Sequence, residues 1–215
     1  MTARTPIKET PVTLTAPNPV ATARRERPMA PAKIRILDTA LRLFYDEGIR
    51  ATGVDLLIAE SSVTKATFYK HFGSKDRLVL DYVEIQRQRG EARLKDAIGD
   101  ARGAAATIGR VVDMVEATIE SESYRGCPFM NAAAEYPDRQ HPVREVTSAY
   151  TDHVAARLSE VFAELGHPLP GAAADELTLA INGAYAWSYM ADDVAARAGL
   201  RRVAERLIAE CDAPR

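Results

Sequence analysis

ILDTALRLFYDEGIRATGVDLLIAESSVTKATFYKHFGSKDRLV, residues 36–79, is the stretch of this sequence that decides its fold. Apolar side chains recur every three or four residues at its beginning and just before it. These positions are Ile34, Leu37, Ala40, Leu41 and Phe44. Because one helical turn takes three to four residues, this spacing predicts an amphipathic helix that begins at Lys33 and that Gly48 ends.

A second, shorter helix is predicted after that glycine. Thr52 stands three residues before Asp55, which is an acidic variant of the capping box, so the Thr52 hydroxyl is placed to cap a helix of about two turns. The apolar residues of this helix are Val54, Leu57 and Ile58. A tight turn is expected to follow at Ser61 and Ser62.

A third helix is predicted over residues 65–71. Thr64 is placed to cap its first turn, and Gly73 is placed to end it. Phe68 and Phe72 are expected to face the core. The second and third helices, joined by a tight turn and packed on the first helix, are typical of a helix-turn-helix unit, whose second member enters the major groove of DNA.

The polar side of the third helix carries the residue types that contact DNA. It presents Lys65, Thr67, Tyr69, Lys70 and His71. Such side chains can donate hydrogen bonds to guanine edges or to phosphate oxygens. Ser74 is placed to cap a long fourth helix over residues 75–98, whose first backbone N–H groups, beside Lys75, favour another phosphate contact.

The whole stretch resembles the DNA-binding region of the TetR family of transcriptional regulators. That resemblance implies base contacts from Lys65, Ala66 and Tyr69. It implies contacts to the DNA backbone from Thr52, Thr64, Thr67, Lys70, His71 and Lys75. One position departs from the family pattern, because Ser62 stands in the turn where the family commonly has glycine. A left-handed backbone there would strain serine by about 1 kcal/mol.

The charge distribution agrees with a DNA-facing first part. Residues 1–90 carry 15 Lys and Arg against 10 Asp and Glu, a net charge of +5, whereas residues 91–215 carry 13 against 20, a net charge of −7. Residues 1–30 contain five prolines and lack apolar periodicity, so we expect a disordered basic tail there. Its arginines at 24, 25 and 27 could reach a DNA minor groove.

Composition excludes several other classes of protein. No apolar run is long enough for a membrane span, and no signal peptide is recognisable, so we expect a cytoplasmic protein without a membrane partner. Cys127 and Cys211 are the two cysteines, too few for a disulfide framework and without metal-ligand spacing. We therefore expect no cofactor, no metal site and no catalytic residue.

The second half also has helical periodicity, and we find no convincing strand. Helices are predicted over residues 104–122, 128–136, 142–165, 172–198 and 200–211. The predicted fold is all-α, with a tail over residues 1–30, a three-helix helix-turn-helix DNA-binding domain over 31–80 and a helical ligand-binding and dimerisation domain over 81–215. The family resemblance implies a homodimer formed through the last two helices, a palindromic operator of double-stranded DNA and a small-molecule inducer. A packing stripe with small residues is expected at Leu177, Ala180, Ile181, Ala184 and Trp187.

The inducer would occupy a cavity in the second domain. Aromatic and sulfur-containing side chains suit a mainly apolar ligand. The candidates are Met114, Cys127, Phe129, Met130, Tyr136, Tyr150, His153, Trp187 and Tyr189. Cys127 precedes Pro128, so it is expected at the N-cap of a helix, where the helix dipole and Arg125 would favour a thiolate able to sense oxidants or electrophiles.

Two alternatives of other classes remain open from the sequence. A helical enzyme could use Cys127 as a nucleophile with His141 or His153, although no local catalytic signature supports this hypothesis. A helical adaptor could bind a protein partner through the acidic second half. The enzyme hypothesis leaves the helix-turn-helix pattern of residues 33–80 unexplained, and the adaptor hypothesis predicts no salt-dependent affinity for DNA.

Overall fold

The computed structural model describes residues 29–99 and 101–211, and this part of the chain contains nine helices and no strand. The first four helices are α1 Pro31–Asp46, α2 Val54–Glu60, α3 Lys65–Phe72 and α4 Lys75–Gly99. The other five are α5 Ala104–Ile119, α6 Pro128–Glu135, α7 Pro142–Glu164, α8 Pro170–Met190 and α9 Asp193–Ala209. The predicted all-α fold is confirmed. The predicted basic arm at residues 24–27 lies outside the described residues.

Three of the predicted helix boundaries are confirmed by hydrogen bonds or backbone geometry. The hydroxyl of Thr64 accepts a hydrogen bond from the N–H of Thr67 at 3.2 Å, at the start of α3. Ser74 does the same for Arg77 at 3.1 Å. Gly73 ends α3 with φ +72°, a left-handed conformation that glycine adopts without steric cost.

The predicted cap of α2 is wrong. Gly53, rather than Thr52, occupies the N-cap, and no side chain caps this helix. The Thr52 side chain is fully buried, and its hydroxyl donates to the carbonyl oxygens of Gly48 at 2.8 Å and Leu43 at 3.4 Å. Thr52 therefore closes the turn after α1 instead of opening α2.

The predicted boundary between the last two helices is also wrong. Helix α8 ends at Met190, eight residues before the predicted end, and α9 begins at Asp193. Asp192 caps α9, because its carboxylate accepts a hydrogen bond from the N–H of Ala195 at 2.9 Å. Gly199, the expected break, lies inside α9.

Two hydrophobic cores hold these helices together. The first joins α1 to α4 and includes the fully buried Ile36, Leu57 and Phe68. Ala132 of α6 and Val143 of α7 also belong to it, so the second half of the chain packs directly on the first. Ile34 was expected on the inward side of α1 but is 43% exposed.

The second core lies among α4, α5, α7, α8 and α9. Its largest fully buried side chains are Leu94, Ile108, Leu158, Phe162 and Leu177. α4 contributes to both cores, with Leu78 and Tyr82 in the first and Leu94 in the second. Among the described helices, none is long and apolar enough to cross a membrane.

Candidate DNA-binding surface and effector cavity

The turn between α2 and α3 has the shape that positions a recognition helix. Its backbone is closed by hydrogen bonds from the N–H of Ser62 to the Ala59 carbonyl at 3.2 Å and from Val63 to Ile58 at 3.2 Å. Ser62 has φ +50°, the left-handed conformation for which glycine is usual at this position. The turn therefore keeps its geometry without glycine, at a cost of about 1 kcal/mol.

The outer face of α3 presents the predicted contact residues to solvent. Tyr69 is 44% exposed, and its ring meets that of the fully buried Phe68 edge-on at 5.4 Å between centroids. Ala66 and Lys70 are exposed, and the side chain of Lys65 is 70% exposed. A buried phenylalanine thus holds the helix on the core while the polar side remains accessible.

The remaining predicted contacts flank this face, with one exception. Thr64 is exposed, whereas Thr67, His71 and Lys75 are half-buried. Lys75 begins α4, and partial burial lowers the pKa of its ammonium group, an effect that Glu135 and Asp76 oppose. Thr52 is the exception: the predicted backbone contact is wrong, because its buried hydroxyl already donates within the protein.

A cavity of about 310 Å³ lies in the second half of the chain, between α4, α5, α6, α7 and α8. Its walls are largely apolar. Phe129 of α6 and Tyr150 of α7 stack in it with ring centroids 3.9 Å apart and planes inclined by 18°. Five of the predicted ligand residues line the cavity: Met114, Cys127, Phe129, Met130 and Tyr150.

Four predicted ligand residues lie elsewhere. Tyr136 ends α6 and stacks on His141 at 4.3 Å between centroids. His153 is exposed on α7. Trp187 and Tyr189 are 52% and 47% exposed on α8, and the Tyr189 ring contacts Tyr124 and the Arg125 guanidinium. These four predictions are wrong for this cavity, because residue type does not say which side of a helix faces inward.

Sequence reasoning missed the polar residues of the cavity wall. They include Thr147, Ser148 and Thr151 on α7, and Thr178, Asn182 and Tyr185 on α8. Their spacing of three or four residues on each helix was the available signal. The hydroxyl oxygen of Thr178 is buried and has no hydrogen-bond partner among the described residues, which is unfavourable unless another group supplies one.

Cys127 occupies the N-cap of α6 as predicted, but its environment does not favour a thiolate. Burial raises the pKa of the Cys127 thiol, and the nearby backbone of Met130 and Phe129 and the charge of Arg93 only partly oppose that rise. Arg125 was expected to favour the thiolate, but its side chain is engaged elsewhere. The Arg125 guanidinium donates a hydrogen bond to the backbone carbonyl of Asp46 at 2.9 Å. The thiol therefore remains protonated near neutral pH.

Direct hydrogen bonds join α6 and the loop before it to the first core. The Glu135 carboxylate, at the end of α6, accepts hydrogen bonds from the N–H groups of Ile49 at 2.8 Å and Arg50 at 2.6 Å. At the other end, the Tyr45 hydroxyl donates to the carbonyl of Gly126 at 2.8 Å and accepts from the N–H of Arg125 at 2.9 Å. The helix that lines the cavity is thus fastened to the turn between α1 and α2.

An exposed polar recognition helix on a three-helix core, attached to a helical unit with its own cavity, defines a helix-turn-helix DNA-binding regulator. Residues 36–82 match the family described as "Bacterial regulatory proteins, tetR family". The crystal structure of SCO4454, a TetR-family transcriptional regulator from Streptomyces coelicolor, is similar to this chain with a TM-score of 0.82 and 33% sequence identity. The similarity covers 85% of this chain and 97% of that one. The protein belongs to the TetR family of transcriptional regulators.

Two further relatives are described as HTH-type transcriptional regulators or repressors. The HTH-type transcriptional regulator LmrA from Bacillus subtilis is 28% identical over 113 residues, which are 52% of this chain and 60% of LmrA. The match therefore spans less than two thirds of LmrA. The HTH-type transcriptional repressor Rv3405c from Mycobacterium tuberculosis is 26% identical over 185 residues, 77% of this chain and 94% of that repressor. As a member of this family, the chain is a DNA-binding transcriptional regulator.

Proposed function

We propose that this regulator is a cytoplasmic repressor that binds a palindromic operator as a homodimer and is released by a small-molecule inducer. One observation carries the proposal: α6 lines the cavity with Phe129 and Met130, and its Glu135 carboxylate accepts hydrogen bonds from the turn that precedes α2. A molecule that enters the cavity would therefore press on a helix attached to the DNA-binding part.

An exposed apolar strip on α8 and α9 supports the homodimer. It consists of Leu179, Trp187, Met190 and Val194, which are 71%, 52%, 72% and 63% exposed. Monomeric proteins rarely expose such apolar area, and a second copy of the chain would cover it. Three residues of the predicted packing stripe, Leu177, Ile181 and Ala184, are buried within the chain. Trp187 is the large residue of that stripe that is left exposed to contact a second copy.

The switch would be a shift between two conformations of the dimer. A dimer places two recognition helices in major grooves about one helical turn apart, so a change in their separation lowers affinity for a palindrome. A ligand that binds the DNA-incompatible conformation about 100-fold better contributes roughly 2.7 kcal/mol of coupling. The unsatisfied Thr178 hydroxyl offers such a ligand a hydrogen bond inside the cavity.

The proposal is tested by measuring binding of the purified protein to the DNA upstream of its own gene, by fluorescence anisotropy over a salt series. We expect tight, salt-dependent binding to one site with dyad symmetry, abolished by Tyr69→Ala. His153→Ala is the control, since it removes an exposed ring from α7 that lies outside α3, the cavity and the exposed apolar strip. Affinity no better than for random DNA, on this fragment and on a genomic pool, would refute the proposal.

A further inference from the structure

A second concave site lies outside the cavity, in a cleft of about 520 Å³ between α1, α4 and α5. Gln86, Arg89 and Arg93 line it from α4, where their spacing places them on one face of the helix. Tyr45 closes the cleft from α1, and Thr118 from α5. Among the described residues, every charged residue that lines it is an arginine, and no carboxylate does.

The two arginines of this cleft have no partner among the residues that the structure describes. Neither Arg89 nor Arg93 has a hydrogen bond or an ion pair with a residue that the structure describes. Arg87, on another face of the same helix, differs from them, because Glu84 and Glu91 both hold its guanidinium at 2.5 Å. Like charges one turn apart on a helix repel each other, so an anion bound between Arg89 and Arg93 would relieve this repulsion.

The cleft and the inner cavity are neighbours. Met114 lines both of them, and Cys127 of the cavity is followed directly by Pro128 of the cleft. The charge of Arg93 reaches the cavity: burial raises the pKa values of the Cys127 and Tyr150 side chains, and Arg93 opposes that rise at both. A methionine side chain is flexible, so Met114 can move aside for a ligand that spans both sites.

We propose that the effector is an amphipathic organic anion, whose apolar part occupies the inner cavity and whose carboxylate lies in the cleft against Arg93 and Arg89. The cavity supplies the apolar wall, including the stacked Phe129 and Tyr150. The two guanidinium groups supply charge-assisted hydrogen bonds to the acid. This assignment rests on the proposed effector function of the cavity and names the ligand class.

The test is isothermal titration calorimetry on the full chain with octanoate, decanoate and dodecanoate, beside decanol and decylamine. We expect at least one carboxylate to bind, decanol to bind about tenfold more weakly than decanoate, and decylamine to bind more weakly still. Arg93→Gln should weaken carboxylate binding about tenfold and leave decanol binding unchanged, and Arg93→Lys should recover part of the loss. Arg102→Gln is the matched control, since it removes the same charge from an exposed position outside both sites.

Equal affinity for decanoate and decanol would overturn the assignment, as would carboxylate binding that Arg93→Gln leaves intact, or no carboxylate binding at all. Operator binding is measured on the same preparations. Specific operator binding that persists without any carboxylate binding overturns the ligand class alone. If the wild-type chain shows no specific operator binding, the proposed function itself is refuted.

Discussion

Glu135→Ala tests the connection between the cavity and the DNA-binding part. The substitution removes the acceptor of two backbone hydrogen bonds, from Ile49 at 2.8 Å and from Arg50 at 2.6 Å. Hydrogen bonds to a charged group contribute about 1.5–3 kcal/mol each, but Arg50 is exposed and its N–H can bind water instead. Ile49 is 2% exposed, so most of the loss arises there. We expect a total loss of about 2 kcal/mol.

The assay combines thermal unfolding with operator binding. For a chain of this size, 2 kcal/mol corresponds to a fall in Tm of about 4–8 °C. Operator affinity should also fall, because the turn that leads into α2 loses its support, and the response to the inducer should weaken. Glu135→Gln keeps one acceptor oxygen and should lie between the wild type and the alanine variant. Glu164→Ala, at the exposed end of α7, is the matched control.

A Tm of Glu135→Ala within about 1 °C of the wild type would show that the two hydrogen bonds contribute little stability. If the variant is destabilised but its operator affinity and inducer response are unchanged, the bonds are structural, and the reasoning that makes α6 the route between the two sites is refuted.

Three further predictions concern single residues. Ser62→Gly should raise the free energy of unfolding by up to about 1 kcal/mol, since φ is +50° at this position. A lower free energy of unfolding for the variant, measured by urea denaturation, would contradict the strain argument. Gly90→Ala should destabilise the chain by about 1–3 kcal/mol, because the new Cβ would lie 2.6 Å from the Tyr150 ring. Gly109→Ala, where nothing lies within 4 Å of the new Cβ, should stabilise the chain. Equal changes in stability for the two variants would contradict the close contact between Gly90 and Tyr150. Cys127 should react with iodoacetamide more slowly than glutathione does, because burial raises the pKa of its thiol, and the reaction should become faster as the pH rises. Rapid alkylation of Cys127 in a chain that carries Cys211→Ser would restore the sensing hypothesis.

The first four helices could be predicted from the sequence because local rules fix them. Apolar spacing gives α1, Thr64 and Ser74 cap the following helices, and Gly73 can adopt a left-handed backbone. Thr52 was mistaken for a cap because a threonine hydroxyl can bond either to the helix that follows or to the turn before it. The sequence alone does not distinguish these two uses.

The cavity was predictable only in part, for a different physical reason. Long apolar helices such as α8 are hydrophobic on more than one side, so their periodicity does not separate the cavity wall from the exposed strip. Trp187 and Tyr185 are two residues apart on α8, yet Tyr185 lines the cavity and Trp187 is exposed. Which side faces inward depends on the packing of α7 and α9 against α8, a long-range property that no local pattern contains.

The length of α6 explains why it is suited to carry a signal. Eight residues at about 1.5 Å each make a rod of roughly 12 Å, too short to absorb a displacement by bending. Phe129 near its start faces the cavity, and Glu135 at its end holds the turn between α1 and α2. Under the proposed function, a ligand that displaces Phe129 would either break the hydrogen bonds of Glu135 or move the DNA-binding helices with it. α4, three times as long and part of both cores, would follow the same movement, so we infer that the two helices act together rather than as separate routes.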